Sequence, residues 1–335
     1  MKTARITCAV LGDGGWGTAL AIQLHRRGHQ VRWWGAFPEY LRELNARRVN
    51  RKYLPGIPIP RSIRITPVLA DAVQGADLII LAIPSQHLRA TVTRLKPIRR
   101  LWQHAILVST TKGLDQATSK RMSQVVDEVL HPSRLAVLSG PSIAADVGHG
   151  LATTAVVAAR RAVDADAVQR WMMDEKLRLY TSRDVVGVEL GGALKNPIAI
   201  AAGASDGLGL GSNAKAALIT RGIVEMARLG QTLGAKKETF WGLSGLGDLV
   251  TTCLSGRNYW LGVQLGKGRS LKTILRSTPM VIEGVPAARA AVALARKRRV
   301  ELPIIEQVHA VLFKNRPPRK ALQALMLRTS KAESV

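Results

Sequence analysis

A glycine-rich turn between a strand-like run and a helix-like run is the feature that most constrains this fold. The apolar run ITCAVL leads into GDGGWG at residues 12–17, and TALAIQLHRRG then leads through Gly28 into the apolar run QVRWW. The GxGxxG spacing is common, but a strand before it and a helix and second strand after it form the first βαβ frame of a dinucleotide-binding fold. In that frame Gly12 permits the tight turn, Gly14 lets the backbone approach a pyrophosphate, and Gly17 lets the helix pack on the strand. The helix N-terminus offers N–H groups to the phosphates.

The end of the second predicted strand bears on which dinucleotide would bind. A ribose with a free 2′-hydroxyl usually meets an acid at that point. Here the strand ends in WGA at residues 34–36, and the first acid, Glu39, comes late. Arg32 is a candidate for contacting a 2′-phosphate, although strand alternation can direct it elsewhere. We therefore expect NAD(P)H as the cofactor, with a slight lean towards NADP.

The residue pattern differs between the two halves of the chain. The first half alternates β-rich apolar runs with helical patterns, which predicts βαβ units on a parallel sheet. From about Val188 Ala, Leu and Gly dominate, and helical apolar spacing appears at Asn213–Leu229 and Pro286–Arg298. We expect an α/β chain with a Rossmann-type parallel-sheet domain over residues 1–187 and an all-helical substrate-binding and catalytic domain over residues 188–335. The candidate strands are Ile6–Leu11, Gln30–Trp34, Leu78–Ile83, Ala105–Ser109, Leu135–Ser139, Thr154–Ala159 and Leu177–Tyr180.

The charge balance favours anionic partners without choosing among them. Lys and Arg number 49 against 23 Asp and Glu, which gives a net charge of +26. Nucleic acid, acidic lipid and phosphorylated metabolites would all suit such a charge. The basic clusters lack interleaved aromatic residues, and no helix-turn-helix or other nucleic-acid module is recognisable. We expect a small-molecule substrate and no specific nucleic-acid partner.

Several further features indicate the compartment. Cys8 and Cys253 are far apart and lack metal-ligand spacing, which predicts free thiols and no metal site. Glycines interrupt the N-terminal apolar run before it reaches the length of a signal peptide. No stretch of about 18 apolar residues is evident, so we expect no membrane span. A cytoplasmic protein is predicted, and a homodimer is compatible with the sequence.

Two polar segments follow predicted strands. Lys112 lies in TTKG and Ser142 in SGPS, and the C-terminal ends of parallel strands face the ligand crevice of open α/β sheets. The SGPS segment offers hydroxyls and backbone N–H groups to an anion. An ordinary loop lysine, and a simple turn with Ser142 as helix cap, are the alternatives.

Lys195 stands in a long run of small apolar residues. A lysine inside a buried helix is costly unless it has a partner or a function, and burial lowers its pKa towards the range useful for proton transfer. The alternative is a lysine that snorkels at a domain edge. Asp248 is the one acid of a glycine-rich stretch, and Arg257 and Asn258 begin a helical pattern suited to binding phosphate. Together these residues predict a pocket for a small phosphorylated alcohol or ketone.

Over nearly its whole length the sequence resembles bacterial-type NAD(P)-dependent glycerol-3-phosphate dehydrogenases. The matching stretches are GDGGWGTALA (12–21), TKGL (111–114), SGPSIAADV (139–147), GVELGGALKNPIAIAAG (187–203), DGLGLGSNAKAALITRGIVEM (206–226), GLSGLGDLVTTC (242–253), GRN (256–258) and VIEGV (281–285).

The resemblance implies an oxidoreductase that reduces dihydroxyacetone phosphate to sn-glycerol 3-phosphate, which feeds glycerophospholipid synthesis. It implies that Lys195 is the catalytic proton donor and acceptor. The substrate-binding residues would be Lys112, Gly140, Ser142, Lys195, Asp248, Arg257 and Asn258. Together with the glycine pattern, it predicts cofactor contacts at Gly12, Gly14, Gly15, Trp16, Gly17, Lys112, Ala144, Arg257, Val281 and Glu283.

The sequence departs from the family pattern at a few positions. Gly15 stands where Ser is common, Ala36 where a basic residue is frequent, Ile143 where Phe is usual, Asp146 where Glu is usual, and Gly256 where Ser precedes Arg-Asn. Because Gly256 lacks the hydroxyl of that serine, one candidate hydrogen bond to phosphate is removed. A related β-hydroxyacid dehydrogenase with a carboxylate substrate remains an alternative at this point, and a substrate panel would distinguish the two.

Overall fold

The chain divides into two units in a computed structural model that describes residues 4–278, 280–330 and 332–333. Unit 1 contains the residues up to Thr111 together with Met122–Val185. Unit 2 contains Lys112–Arg121 and the residues from Val186 onwards. The short segment Lys112–Arg121, which falls within the first predicted domain, thus groups with unit 2. The domain limits at residues 187 and 188 stay a prediction.

Unit 1 is built on a large sheet. Its described strands are β1 (Thr7–Leu11), β2 (Gln30–Trp34), β3 (Val49–Asn50), β4 (Leu54–Pro58), β5 (Arg64–Thr66), β6 (Leu78–Leu81), β7 (Ile106–Ser109), β8 (Leu135–Ser139), β9 (Thr153–Ala159) and β10 (Leu177–Ser182). Eight of them form one sheet in the order β10-β9-β8-β7-β6-β1-β2-β5, and β3 and β4 form a separate antiparallel pair. All neighbours in the large sheet are parallel except β8 and β9.

Helices connect these strands. They are α1 (Gly15–Arg26), α2 (Pro38–Arg47), α3 (Leu69–Val73), α4 (Ser85–Leu95), a 3₁₀ helix (Lys96–Leu101), α5 (Met122–Leu130), α6 (Ala144–His149) and α7 (Ala162–Met172). The central strands β6 and β7 are buried along their whole length, as continuous apolar runs require when helices cover both faces. Unit 1 is therefore a Rossmann-type α/β fold, and this prediction is confirmed.

The predicted strands lie where they were expected, but three further strands were not predicted. Every predicted strand is present, with bounds shifted by at most two residues. The sequence analysis missed β3, β4 and β5, which are short; β4 reads LPGIP, and proline and glycine disfavour a strand assignment. The predicted parallel sheet is present and contains one antiparallel pair, β8 and β9, because an apolar strand pattern does not report the direction of the strand.

The order in which strands are added to the sheet reverses between the parallel strands β1 and β6. From β1 the chain moves to β2 and β5 on one side, and it returns to β6, β7 and β8 on the other side. Ligands of open α/β sheets bind at such a switch point, outside the carboxyl ends of the strands. The glycine-rich loop (residues 12–17) follows β1 and therefore lies at that point.

Unit 2 is helical. Its described helices are α8 (Val185–Gly207), α9 (Gly211–Thr232), α10 (Asp248–Leu254), α11 (Arg257–Gly266), α12 (Leu271–Arg276), α13 (Gly284–Arg298), α14 (Pro303–Phe313) and α15 (Pro318–Met326), with a 3₁₀ helix (Lys237–Trp241) and a π-helical turn (Leu243–Gly247). The prediction of a helical C-terminal half is confirmed.

Helix α8 carries an apolar stretch that the sequence analysis overlooked. By length and composition alone it could cross a membrane, but 83% of its most apolar window is buried inside the protein. The expectation that no such stretch exists was wrong. Its burial is typical of the core helix of a globular unit.

A buried glutamate connects α9 to α14. Glu225 accepts hydrogen bonds from the backbone N–H groups of Ile304 at 2.7 Å and Ile305 at 3.2 Å. These groups belong to the first turn of α14, whose N–H groups have no partner within the helix. Burial raises the pKa of Glu225 to about 7, against the opposing effect of the two N–H groups.

Candidate active site

The glycine-rich loop is tied to the second strand of the sheet. The N–H of Gly12 donates to the carbonyl of Trp34 at 2.9 Å, and the indole Nε1 of Trp33 donates to the carbonyl of Gly12 at 2.7 Å. Gly12 has φ +125°, and a Cβ there would lie 2.2 Å from the carbonyl oxygen of Ala82. A Cβ on Gly17 would lie 2.0 Å from the carbonyl oxygen of Gly12. Both glycines are therefore required by the backbone packing of the loop.

Gly14 differs from these two glycines. It precedes α1 with an ordinary extended conformation, φ −75° and ψ 176°, and a Cβ there would meet no atom within 4 Å. Open space beside the backbone at the start of a helix is what a pyrophosphate needs. The buried Nε1 of Trp16 has no hydrogen-bond partner among the described residues. Ala144 lies beside the loop, 3.7 Å from a Cβ built on Gly15. The loop thus fits a dinucleotide phosphate.

We expect Gly14→Val to weaken binding of the reduced cofactor about tenfold or more, which corresponds to about 1.4 kcal/mol. The valine side chain fills the open space at Gly14, while the extended backbone accepts it with a loss of about 1 kcal/mol at most in unfolding free energy. Titration of the cofactor and urea unfolding measure the two effects. Gly17→Ala is the contrasting control, since overpacking against Gly12 should lower the unfolding free energy by about 1–3 kcal/mol. Unchanged cofactor affinity in Gly14→Val would exclude the loop as the binding site.

Arg32 does not extend towards the loop. Its Nη1 donates to the backbone carbonyls of Asp71 at 3.2 Å and Gln74 at 2.5 Å, next to α3. The suggestion that Arg32 meets a 2′-phosphate is therefore wrong, because strand alternation directs it to the other face of β2. The basis for the lean towards NADP is lost with it.

The SGPS segment turns sharply after β8. Gly140 has φ +147°, and the hydroxyl of Ser142 donates to the carbonyl of Gly140 at 2.9 Å. The N-cap residue of α6 is Ile143, whose side chain makes no capping hydrogen bond. The structure therefore does not place Ser142 at the N-cap position.

A lysine cluster in unit 2 holds the predicted catalytic residue. Lys195 is 5% exposed, and its Nζ donates to Oδ1 of Asp248 and, at 2.5 Å, to the hydroxyl of Thr252. Lys112 Nζ lies 2.7 Å from the other carboxylate oxygen of Asp248. Asp248 thus bridges two ammonium groups. We call Lys112, Lys195, Asp248 and Thr252 the lysine cluster.

Local sequence explains how the lysine cluster forms. A Cβ on Gly191 would lie 2.3 Å from the carbonyl oxygen of Ser244, so glycine in α8 lets the π-helical turn approach closely. That turn leads directly into Asp248, the first residue of α10. The hydroxyl of Thr252 donates to the carbonyl of Asp248 at 2.7 Å and remains an acceptor for the ammonium.

The electrostatics of the lysine cluster suit proton transfer. The pKa of Lys195 is lowered from 10.5 to about 8: burial is the main cause and the nearby charge of Lys112 adds to it, while Asp248 opposes both effects. A buried lysine must be paired or functional. With a pKa near 8, this group can give up and take a proton at ordinary pH. The predicted burial of Lys195 is confirmed, and the snorkelling alternative is wrong.

Arg257 and Asn258 begin α11, and the two side chains are placed differently. Asn258 is buried and donates to Oδ1 of Asn196 at 2.9 Å, while its own oxygen accepts the N–H of Gly284 at 2.9 Å. Arg257 is exposed, yet the protein around its guanidinium lowers its pKa by desolvation, and the negative charge of Glu283 opposes this effect. Val281 is half-buried, two residues before Glu283. Asn258 therefore ties together α8, α11 and the start of α13.

The sequence analysis missed Thr252 as a site residue. It follows Asp248 by four positions, a spacing that places both on one face of a helix. Cys8 and Cys253 are both free, as predicted, and the structure shows that both are buried. No group of three or more His, Cys, Asp or Glu able to hold a metal ion is found in the part of the chain that the structure describes.

Comparison with known proteins identifies the family of this chain. Residues 7–165 match the family model of the NAD-dependent glycerol-3-phosphate dehydrogenase N-terminus, and residues 184–323 match that of its C-terminus. The glycerol-3-phosphate dehydrogenase [NAD(P)+] of Moorella thermoacetica is 49% identical, covering 96% of this chain and 95% of its own length. That of Fusobacterium nucleatum is 45% identical over 98% of both chains.

A solved structure is also similar. The crystal structure of glycerol-3-phosphate dehydrogenase from Coxiella burnetii superimposes with a TM-score of 0.92 at 39% identity, covering 97% of this chain and 99% of that chain. The two family models span most of the sequence, and the relatives align almost end to end. The chain therefore belongs to the NAD-dependent glycerol-3-phosphate dehydrogenase family.

Proposed function

We propose that this chain catalyses the reversible NAD(P)H-dependent reduction of dihydroxyacetone phosphate to sn-glycerol 3-phosphate. The observation that carries the proposal is the buried ammonium of Lys195, held by Asp248 and Thr252 with a pKa lowered to about 8. Proton transfer to a ketone oxygen needs such a group. The relatives carry the name of this activity.

The proton steps follow from the lysine cluster. When bound, the nicotinamide supplies or accepts the hydride at carbon 2 of the substrate. In reduction, protonated Lys195 donates its proton to the ketone oxygen, so the ketone becomes a secondary alcohol. In oxidation, neutral Lys195 takes the proton from the hydroxyl. Asp248 and Thr252 accept hydrogen bonds from Nζ and hold it in one orientation, and orientation contributes to the rate.

The other predicted site residues keep their proposed roles. The charges of Lys112 and Arg257 suit the substrate phosphate, and a guanidinium can bind it with two hydrogen bonds. We propose that the substrate also meets Gly140, Ser142, Asp248 and Asn258. We propose cofactor contacts at Gly12, Gly14, Gly15, Trp16, Gly17, Lys112, Ala144, Arg257, Val281 and Glu283.

Arg257→Ala should raise the Michaelis constant for dihydroxyacetone phosphate about 10- to 100-fold, because a charge-assisted hydrogen bond contributes about 1.5–3 kcal/mol. If Arg257 also contacts the cofactor, the cofactor constant rises as well. Steady-state kinetics with each ligand varied in turn measure both. Arg269→Ala, an exposed arginine just beyond α11, is the control and should change neither constant. If Arg257→Ala changes neither the substrate constant nor the cofactor constant, Arg257 is not part of the site.

A substrate panel tests the function itself. Initial rates of reduction with dihydroxyacetone phosphate, dihydroxyacetone, and a set of 2-oxo and 3-oxo acids should favour the phosphorylated ketone. A preference for a carboxylate substrate would instead support the related β-hydroxyacid dehydrogenase activity. We further propose that the enzyme acts in the cytoplasm, that its product supplies glycerophospholipid synthesis, and that it forms a homodimer, which light scattering would test.

A further inference from the structure

Asp13 of the glycine-rich loop places its carboxyl group at the end of β2. A Cβ built on Gly35, the residue after β2, would lie 2.4 Å from Oδ2 of Asp13 and 2.8 Å from its Cβ and Cγ. The Asp13 side chain therefore fills the space that a side chain at position 35 would otherwise occupy. The hydrogen bonds between Gly12 and the tryptophans of β2 hold the loop in this position.

The carboxyl group of Asp13 is incompletely satisfied. Its Oδ2 is buried and has no hydrogen-bond partner among the described residues of the chain. Burial raises the pKa of Asp13 above its usual range, while its own backbone N–H and the charge of Lys52 oppose this effect. A buried acceptor without a partner is costly, and such groups in native proteins usually serve a ligand or another role.

The position of this acceptor indicates its ligand. The end of the second strand is where a dinucleotide-binding fold places the acid that bonds the ribose 2′-hydroxyl. In this chain β2 is followed by Gly35 and Ala36, which offer no side-chain acceptor, and Arg32 is bonded to carbonyls near α3. Asp13 thus brings a carboxylate to this place from the glycine-rich loop rather than from the strand.

We propose that Asp13 accepts hydrogen bonds from the adenosine ribose hydroxyls and makes this enzyme prefer NAD(H) over NADP(H). The inference rests on the proposed function, in which the glycine-rich loop binds the cofactor. A 2′-phosphate has no hydroxyl hydrogen to donate at that position, and its negative charge would lie against the carboxylate. The expected preference is therefore opposite to the lean towards NADP drawn from the sequence.

Binding measured without substrate tests the proposal. Dissociation constants for NADH and NADPH, from titration calorimetry at fixed salt, would be compared in the wild type, Asp13→Ala and Asp13→Asn. The wild type should bind NADH more tightly. Both variants should lose about 10- to 100-fold in NADH affinity, as expected for a charged acceptor. Their NADPH affinity should stay the same or improve, so the preference for NADH over NADPH should be lost.

Glu39→Ala is the matched control, because Glu39 is the first acid in the sequence after β2 and its side chain is 91% exposed. It should leave both constants unchanged. A wild type that prefers NADPH would overturn the role of Asp13, as would an unchanged NADH-to-NADPH ratio in both Asp13 variants. A wild type that binds neither nucleotide would overturn the proposed cofactor site itself, together with this inference.

Discussion

Replacing Lys195 by alanine should lower turnover with dihydroxyacetone phosphate by about 10² to 10⁴, the usual contribution of a general acid–base group. Cofactor binding and the fold should persist, because Asp248 keeps its ion pair with Lys112 at 2.7 Å and is not left without a partner. Lys195→Met, which keeps the apolar packing of the side chain, should lose as much. Lys195→Arg should not restore activity, since a guanidinium does not release its proton near neutral pH.

The pH dependence of the reaction rate is a second test of the role of Lys195. Reduction needs protonated Lys195, so its rate should fall as pH rises through about 8, the lowered pKa of this group. Oxidation needs the neutral amine, so its rate should fall as pH drops through the same value. Lys272→Ala, an exposed lysine on α12, should keep both the rate and the profile. Near-normal turnover in Lys195→Ala would refute the assignment of Lys195.

The second large effect is expected from Asp248→Asn. The carboxylate accepts from two ammonium groups, and its removal leaves Lys195 and Lys112 without their shared counter-charge. Breaking a buried ion pair by removing one partner typically costs about 3–5 kcal/mol of unfolding free energy. Asp248 also opposes the lowering of the Lys195 pKa. In the variant this pKa should fall further, and reduction should fail at a lower pH than in the wild type.

Urea unfolding and the pH dependence of reduction measure these two effects separately. Asp206→Asn is the control, because Asp206 pairs with Lys215 at 2.6 Å, with about a quarter of each side chain exposed. That change should cost about 1 kcal/mol or less and leave the pH profile in place. A pH profile that does not move in Asp248→Asn would mean that Asp248 has only a structural role.

The parts of the fold that were predictable have strong local signals. The strand, glycine-rich loop and helix of the first βαβ unit are contiguous, so periodicity and glycine spacing identify them together. The strands β3 to β5 are short, and β4 contains two prolines and a glycine. The direction of β9 depends on its partner β8, and no periodicity within the strand reports it.

The part of the site that could be predicted also has a strong local signal in the sequence. Lys195 was identified because it interrupts an apolar helix, which is a local contrast. Its ion pair joins residues 53 positions apart, and that of Lys112 joins residues 136 positions apart. Such pairings come from tertiary packing. No role for Asp13 was predicted from the sequence, since only the fold brings its carboxyl group to Gly35 at the end of β2.

The cap that Glu225 places on α14 has a consequence for how unit 2 opens. The first N–H groups of α14 find their acceptor 79 and 80 residues away, on α9. If α9 unravels, these donors lose the carboxylate and α14 loses its first turn. The two helices should therefore open as one cooperative unit, and hydrogen exchange at Ile304 and Ile305 should follow the exchange of the buried amides of α9. Sequence distance thus gives no guide to which segments of this unit fluctuate together.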